Sequence, residues 1–194
     1  MDGFERRTAS KKQQIIVTAL PLFLTHGIKS VSIATIAKQA HVSQVSIYNY
    51  FGSKDHLLKA TMDYYIDEIF KEYEEILHAK ISFSDKIKQM IFQKGKLATA
   101  IHEEIISYFT SSASGEPSYA DQLFQEKTLQ FFYTLIQQGK DEGYIKKDLS
   151  EHAVMIYLQL FKDAMQKKEL QEVLIPLTED IMHLFFYGII GNKD

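Results

Sequence analysis

The chain has 194 residues, of which 45% are hydrophobic and 24% charged, with a net charge of -3 and neither cysteine nor tryptophan. This length and composition are typical of a globular protein of one or two domains. The lack of cysteine excludes disulfides, thiolate zinc sites and a cysteine nucleophile, and it suits a reducing cytoplasm. Only 9 glycines and 3 prolines are present, so long helices are expected rather than an all-β chain.

The charge is unevenly distributed along the chain. Residues 1–60 hold 8 basic and 3 acidic residues, a net charge of +5, whereas residues 61–194 hold 14 basic and 22 acidic residues, a net charge of -8. A basic head on an acidic body indicates that the head alone binds a polyanion. No run approaches the about 18 apolar residues of a membrane span, so no membrane partner is expected.

The first third of the chain predicts three short helices and then a long one. The first is expected over residues 10–26, because Gly27 lies just past its apolar repeat as a stop. Pro21 interrupts it, so a bend is expected there. Serine caps then predict three helices: residues 33–40 after Ser32, 44–50 after Ser43, and from Ser53 to about residue 78.

The rest of the chain shows no strand-like alternation and predicts helices separated by polar breaks. Gly139 and Gly143 are expected to end one of them, and Pro176 falls in the first turn of the last. The helices expected are one or two over residues 85–110, then 119–141, 151 to about 167, and 176–190. The predicted fold class is therefore all-α.

Residues 33–50 fit a helix-turn-helix. Seven apolar side chains are expected to form its core: Phe23, Ile33, Ile36, Ala37, Ala40, Val42 and Ile47. The other face of the third helix carries Gln44, Val45, Ser46, Tyr48 and Asn49. Glutamine and asparagine can bond to adenine edges, serine to several bases, and valine can contact a thymine methyl group.

Other polar groups of the head are suited to holding phosphates, which fixes the register of a protein on DNA. They are Ser32, Thr35, Ser43, Tyr48 and Lys54. Taken singly, each of these residues is explained equally well as a solvated polar residue on a small helical bundle. The net charge of the head favours the DNA interpretation for the set.

A series of short motifs runs from residue 19 to residue 58. In chain order they are Ala19, Leu22 and Phe23 with Gly27; Ile36-Ala37; Ala40-His41-Val42-Ser43; Ile47-Tyr48 with Tyr50-Phe51; and Ser53-Lys54 ahead of Leu57-Leu58. In this order they closely resemble the N-terminal DNA-binding domain of the tetracycline repressor (TetR) family. The resemblance covers residues 10–60, and the remainder is similar to the family in length and helical layout.

The resemblance implies a homodimeric, ligand-responsive repressor whose third helix enters the major groove and whose fourth helix transmits ligand binding to the heads. Bases would face Gln44, Val45, Ser46 and Asn49, and the DNA backbone would be held by Tyr48, Tyr50 and Lys54. His41 and Pro21 replace the glycine and the good helix former usual in the family. Histidine tolerates the positive φ expected at residue 41 better than a β-branched residue would.

The last two helices predict a dimer. Helix 176–190 is apolar all round, and helix 151–167 has a wide apolar arc, so both need more than one protomer to cover them. We expect an intermolecular four-helix bundle. The interface residues expected are Tyr157, Leu158, Phe161, Ile181, Leu184, Phe185 and Gly188. The alternative is that both helices seal a monomeric core.

Aromatic and methionine residues in the middle of the chain predict a pocket for a small apolar or aromatic ligand. Its expected lining is Met90, Phe92, His102, Glu103, Tyr108, Phe109, Phe124, Phe131 and Tyr133. Core packing would account for the same residues without a ligand. The domain organisation expected is a helix-turn-helix DNA-binding domain over residues 1–55 and a helical ligand-binding and dimerisation domain over residues 56–194.

No catalytic motif is found. His102-Glu103 begins like the His-Glu pair of zinc proteases, but Ile106 stands where the second histidine is required. GxSxG, Walker and GxGxxG patterns are also missing. We therefore expect no enzymatic activity, no metal and no cofactor, and a cytoplasmic transcriptional regulator that binds a near-palindromic double-stranded operator. A partner-binding adaptor and a helical enzyme without a recognisable motif are the alternatives.

Overall fold

The computed structural model describes residues 3–97, 101–111 and 116–167, together with residues 170, 173, 177, 180, 181, 183 and 184. Every regular element in these residues is helical, which confirms the predicted all-α class. The elements in chain order are α1 (Gly3–Ser30), α2 (Ile33–Gln39), α3 (Gln44–Phe51), α4 (Lys54–His78), α5 (Phe83–Leu97), α6 (Glu103–Thr110), α7 (Tyr119–Leu123), a π-helical turn (Phe124–Thr128), α8 (Leu129–Asp141) and α9 (Glu151–Gln166).

The chain divides into two compact units. The head unit is Met1–Lys71 with Ala100–Ser107, and the body unit is Glu72–Thr99 with Tyr108–Asp194. Both α4 and α6 run from one unit into the other. This division of the packing differs from the functional boundary that the sequence places after residue 55, which stays a prediction.

The first helix is longer than predicted. It begins at Gly3 rather than at residue 10, contains Pro21, and continues to Ser30. Gly27 has φ 77° and ψ 175°, which breaks the helical backbone before a last turn resumes. Because glycine lacks a Cβ atom, it adopts such a conformation without the strain that other residues would carry. The predicted stop is therefore present as a break inside a longer element.

The core of the head unit contains the apolar residues predicted for the helix-turn-helix. Val42 is half-buried, and the others are at most 6% exposed: Phe23, Ile33, Ile36, Ala37, Ala40 and Ile47. Burying one large side chain of this kind contributes about 1.5–3 kcal/mol. The core therefore fixes how α2 and α3 pack, and it leaves the opposite face of α3 at the surface.

In the body unit, the helix predicted over residues 119–141 is interrupted. α7 ends at Leu123, and α8 begins only after the π-helical turn Phe124–Thr128. Thr128 Oγ1 donates a hydrogen bond to the carbonyl oxygen of Leu123, five residues back, at 3.4 Å, and five-residue spacing is that of a π-helix. The prediction of one uninterrupted helix is wrong, because apolar periodicity does not reveal one extra residue in a turn.

Gly139, which the sequence marks as a helix end, lies buried inside α8. A Cβ atom at this position would lie 2.7 Å from Ile145 Cδ1 and 2.8 Å from Phe83 Cζ. Glycine is therefore required here for close packing rather than for ending the helix. α8 ends at Asp141, and Gly143 follows in a left-handed conformation, with φ 75°.

Two further findings concern the C-terminal part. Most of the helix predicted over residues 176–190 lies outside the described residues, although Ile181 and Leu184 are helical. In the part of the chain that the structure describes, no helix is both long and apolar enough to cross a membrane.

Candidate nucleic-acid interface

The second helix of the helix-turn-helix, α3, presents a mixed face to solvent. Val45 is 66% exposed and Tyr48 is 49% exposed, whereas Ile47 is completely buried. Gln44 and Asn49 are also exposed. An exposed valine has no role in the core of the head unit, so its position beside two exposed amide side chains forms a surface suited to reading base edges.

The turn before α3 is held in place by backbone hydrogen bonds. His41 has φ 53°, the positive value expected from its position, and Val42 N–H donates to the carbonyl oxygen of Ala37 at 3.0 Å. Gln14 Nε2 of α1 donates to the carbonyl oxygen of Ala40 at 3.0 Å. These contacts fix the angle between α2 and α3, which decides whether α3 can enter a groove.

The serine and threonine hydroxyls suggested for phosphate contacts also cap the helices. Thr35 N–H donates to Ser32 Oγ, and Ser46 N–H to Ser43 Oγ, each at 3.0 Å. Ser32 and Ser43 are exposed, whereas Ser46 and Tyr50 are half-buried. Because a hydroxyl oxygen offers two acceptor sites and one donor, capping leaves capacity for a further contact with a phosphate.

Lys54 is placed differently from the expectation. Its ammonium group donates a hydrogen bond to the carbonyl oxygen of Ile28, near the end of α1, at 2.5 Å. Carbonyl groups at the C-terminal end of a helix lack intrahelical donors, and a lysine there is favoured by the helix dipole. Lys54 therefore joins α4 to α1 inside the head unit instead of facing DNA in this conformation.

Ile28 is also bonded from its other side. Glu104 Oε2 accepts the N–H of Ile28 at 2.6 Å and that of Lys29 at 2.9 Å. Hydrogen bonding from the Lys29 backbone, with a smaller contribution from Ile28 and from nearby positive charge, lowers the pKa of Glu104 below its usual value. We call this meeting point of α1, α4 and α6 the Ile28 junction; it consists of Ile28, Lys29, Lys54, His102 and Glu104.

His102 belongs to this junction rather than to a pocket with the body residues. Its N–H donates to the carbonyl oxygen of Leu24 at 2.9 Å, and its Nδ1 accepts the N–H of Glu104 at 3.2 Å. Glu103 is exposed in the same unit. Sequence reasoning missed Glu104, because its partners lie 75 and 76 residues away and no local pattern marks such a pairing.

The other pocket candidates described lie in the body unit. Tyr108 and Phe109 both contact Tyr119, with ring centroids 5.7 and 5.2 Å apart. Phe131 contacts Tyr73 at 5.9 Å, and Met90 is 1% exposed. The side chains of Phe92 and Phe124 lie outside the described residues.

Tyr133 points towards solvent more than the other candidates. It is 45% exposed, and hydrogen bonding to Glu151, followed by the charge of that carboxylate, raises its pKa. Glu151 also accepts a hydrogen bond from Gln137 Nε2 and lies 3.8 Å from Lys140 Nζ. Tyr133 thus joins a polar group that connects α8 to the start of α9.

The expected interface residues differ in how much surface they offer a partner. Leu158 is 6% exposed, so it packs within its own protomer, whereas its neighbours Ile156 and Leu160 are 50% and 61% exposed. Leu184 is 68% exposed. Tyr157 and Ile181 are half-buried, and Phe185, Gly188 and the side chain of Phe161 lie outside the described residues.

The fold of the head and the exposed face of α3 define a helix-turn-helix DNA-binding protein. Residues 15–61 match the family described as bacterial regulatory proteins, tetR family. The chain belongs to the TetR family of transcriptional regulators, which confirms the resemblance found in the sequence and separates the protein from the enzyme alternative.

Relatives extend the likeness beyond the head. The chain is 19% identical over 164 residues to the transcriptional repressor KstR2 of Mycobacterium tuberculosis, covering 82% of this chain and 81% of that protein. Two solved structures share its fold. One is the regulator FadR of Bacillus subtilis in complex with stearoyl-CoA, with TM-score 0.60, 20% identity, and coverage of 91% of this chain and 98% of that one.

The second structure is the TetR family regulator CifR, as a cysteine mutant complexed with 26-base-pair operator DNA. It has TM-score 0.63 and 13% identity, and the match covers 90% of this chain and 94% of that one. At these identities the structural likeness establishes the fold, which includes the helical body as well as the head.

Proposed function

We propose that the protein is a homodimeric transcriptional repressor that binds a near-palindromic operator and is released by a small apolar or aromatic ligand. The observation that carries the proposal is the exposed face of α3, where Gln44, Val45 and Asn49 face solvent while Ile47 anchors the helix in the core. Such side chains on a helix that fits the major groove can discriminate between bases. A regulator of this kind acts in the cytoplasm, where the chromosome is accessible.

The body unit supports the dimer and ligand parts of the proposal. Ile156 and Leu160 present exposed apolar surface one helical turn apart on α9, and burying it against a two-fold copy would remove it from water. The aromatic side chains of Tyr108, Phe109 and Phe131 suit an apolar or planar effector. The FadR structure, which holds stearoyl-CoA, is a relative by fold that binds a ligand with a long apolar chain.

The test is a titration of fluorescent duplexes from the DNA upstream of the protein's own gene, at two salt concentrations. A repressor of this kind binds one near-palindromic duplex far more tightly than random DNA, and its affinity falls steeply with salt because bound counterions are released. Binding of all duplexes with equal affinity would contradict the operator-specific proposal. A monomer at micromolar concentration in sedimentation would contradict the dimer.

Two variants of α3 separate base reading from backbone contacts. Gln44→Ala should relax the base preference and cost about 1–3 kcal/mol on the preferred duplex only. Tyr48→Phe removes one exposed hydroxyl and should weaken binding to all duplexes by a similar factor. Both positions are exposed, so neither change should affect folding. Equal effects of the two variants on base preference would contradict this division of roles.

A further inference from the structure

We propose that Glu104 is a positioning residue that fastens residues 101–107 to the DNA-binding head, so that this segment and the helix-turn-helix respond to DNA together. The inference rests on the proposed function, since it concerns how that function is regulated. It is carried by the Ile28 junction, in which one residue of α1 is bonded to two other helices.

The first step is the break at Gly27. Because the backbone leaves the helical conformation there, the N–H groups of the turn that follows have no acceptors within their own helix. Glu104 Oε2 accepts two of them, from Ile28 and Lys29. A carboxylate is favoured at the positive end of a helical turn, and charge-assisted hydrogen bonds are about twice as strong as neutral ones.

The second step concerns what Ile28 does next. Its N–H is held by Glu104 and its carbonyl oxygen by Lys54. Lys54 is the first residue of α4, and only two residues separate it from the end of α3 at Phe51. A displacement of Glu104 is therefore passed through a single peptide residue to the helix that directly follows the DNA-reading helix.

The third step follows from the course of α6, which begins at Glu103 in the head unit and ends at Thr110 in the body unit. Tyr108 and Phe109, candidates for effector contacts, lie on this same helix, four and five residues beyond Glu104. At 1.5 Å per residue this is a separation of about 6–8 Å along the axis. An effector that shifts these aromatic side chains would act on the helix that carries Glu104.

The experiment is hydrogen–deuterium exchange on the full chain, free and with the preferred duplex. In the wild type, the duplex should slow exchange in residues 44–51 and also in residues 101–107, because coupling between sites is reciprocal. In Glu104→Ala, the duplex should still slow residues 44–51, while residues 101–107 no longer respond. Affinity for the duplex should fall about tenfold, within the usual range of coupling between sites.

Glu103→Ala is the matched control, since it removes the same charge from the same first turn of α6 at an exposed position. It should behave like the wild type. Glu104→Gln keeps an oxygen acceptor without the charge, so it should give an intermediate response, and it replaces Glu104→Ala if that variant does not fold.

The outcomes separate this inference from the proposed function. If the duplex slows residues 44–51 in the wild type but leaves residues 101–107 unchanged, or if Glu104→Ala responds as fully as the wild type, the inference is overturned and the proposed function stands. If no duplex slows residues 44–51, the proposed function fails and the inference fails with it. A uniform rise of exchange throughout the head in Glu104→Ala would indicate lost stability instead of positioning.

Discussion

Each unit uses a lysine to satisfy the carbonyl groups near the end of a helix, but the two lysines differ in burial. In the head, the half-buried Lys54 bonds to the carbonyl oxygen of Ile28. In the body, Lys86 is 6% exposed and bonds to the carbonyl oxygen of Leu77 at 2.7 Å and to Gln138 Oε1 at 2.8 Å. Water and phosphate can reach the first lysine more easily than the second.

This difference matches what each unit has to do. A contact that solvent can reach contributes little net free energy and is readily exchanged, which suits a head that must bind and leave DNA. A buried ammonium group that lost its acceptors would stay unpaired in the interior, at a large cost. The last turn of α4 is thus fixed permanently, whereas the start of α4 is held by a contact that can be replaced.

The largest effect is expected from placing the same methyl group in the two units. Gly27→Ala should destabilise the head by about 3 kcal/mol, because alanine is strained at φ 77° and its Cβ would lie 2.6 Å from His102 Cε1. Gly139→Ala should cost about 1–2 kcal/mol, since its crowding against Ile145 and Phe83 is partly offset by better helix propensity. Urea unfolding, followed by circular dichroism, measures both.

Exchange mapping adds where the damage lies. Gly27→Ala should raise amide exchange in the head peptides and abolish tight DNA binding, while Gly139→Ala should leave the head peptides unchanged. Loss of DNA binding in Gly139→Ala with Gly27→Ala unaffected would reverse the assignment of these two glycines.

An intermediate effect is expected from removing the two lysines. Lys86→Met keeps the chain length but leaves the Leu77 carbonyl and the Gln138 amide oxygen without their donor, which should cost about 1–3 kcal/mol. Lys54→Met should cost about 1 kcal/mol or less, because water can replace the ammonium group. If chemical denaturation shows Lys54→Met to be the more damaging variant, the comparison between a permanent and a replaceable contact is wrong.

The smallest effect is expected from acid. Glu104 in the head and Asp85 in the body both have a lowered pKa, caused mainly by the Lys29 backbone N–H and by the Ser82 hydroxyl respectively. A folded-state pKa below the unfolded one means that the stabilisation is present above the unfolded value and is lost as pH falls through the folded value. The expected window therefore begins near the ordinary carboxyl values of 4.5 and 3.8 and extends below them.

Urea midpoints measured at about pH 7 and about pH 3.5, on either side of the ordinary carboxyl range, test this sign. The drop on acidification should be smaller in Glu104→Gln, and in Asp85→Asn, than in the wild type. A drop of the same size in these variants would show that other groups control the acid response.

Much of the head could be predicted because its information is local. The caps Ser32 and Ser43 lie directly before the helices they start, and the buried positions Ile36, Ala37 and Ile47 fall within one short segment. Short helices with clear caps and a tight turn leave few alternative arrangements. The DNA-facing side chains are then the residues of α3 that the core does not use.

The junction and the body could not be predicted in the same way. Glu104 meets α1 across 76 residues, and Gly139 is explained only by Phe83 and Ile145, which pack against it. Leu158 was expected to face a partner, yet it is buried within its protomer, while Ile156 and Leu160 remain at the surface. A wide apolar arc shows that a helix is covered on several sides, but not which side a neighbouring helix of the same chain takes.

The π-helical turn Phe124–Thr128 makes the orientation of α8 depend on residue number as well as on residue type. One added residue turns everything after it by about 100° around the helix axis. Deleting a single residue from this turn would restore a regular helix, and it would rotate Leu135 and Ile136 away from the interior. Homologous chains aligned across this stretch should therefore be compared by length before they are compared by side chain, because a one-residue gap there exchanges the buried and exposed faces of a whole helix.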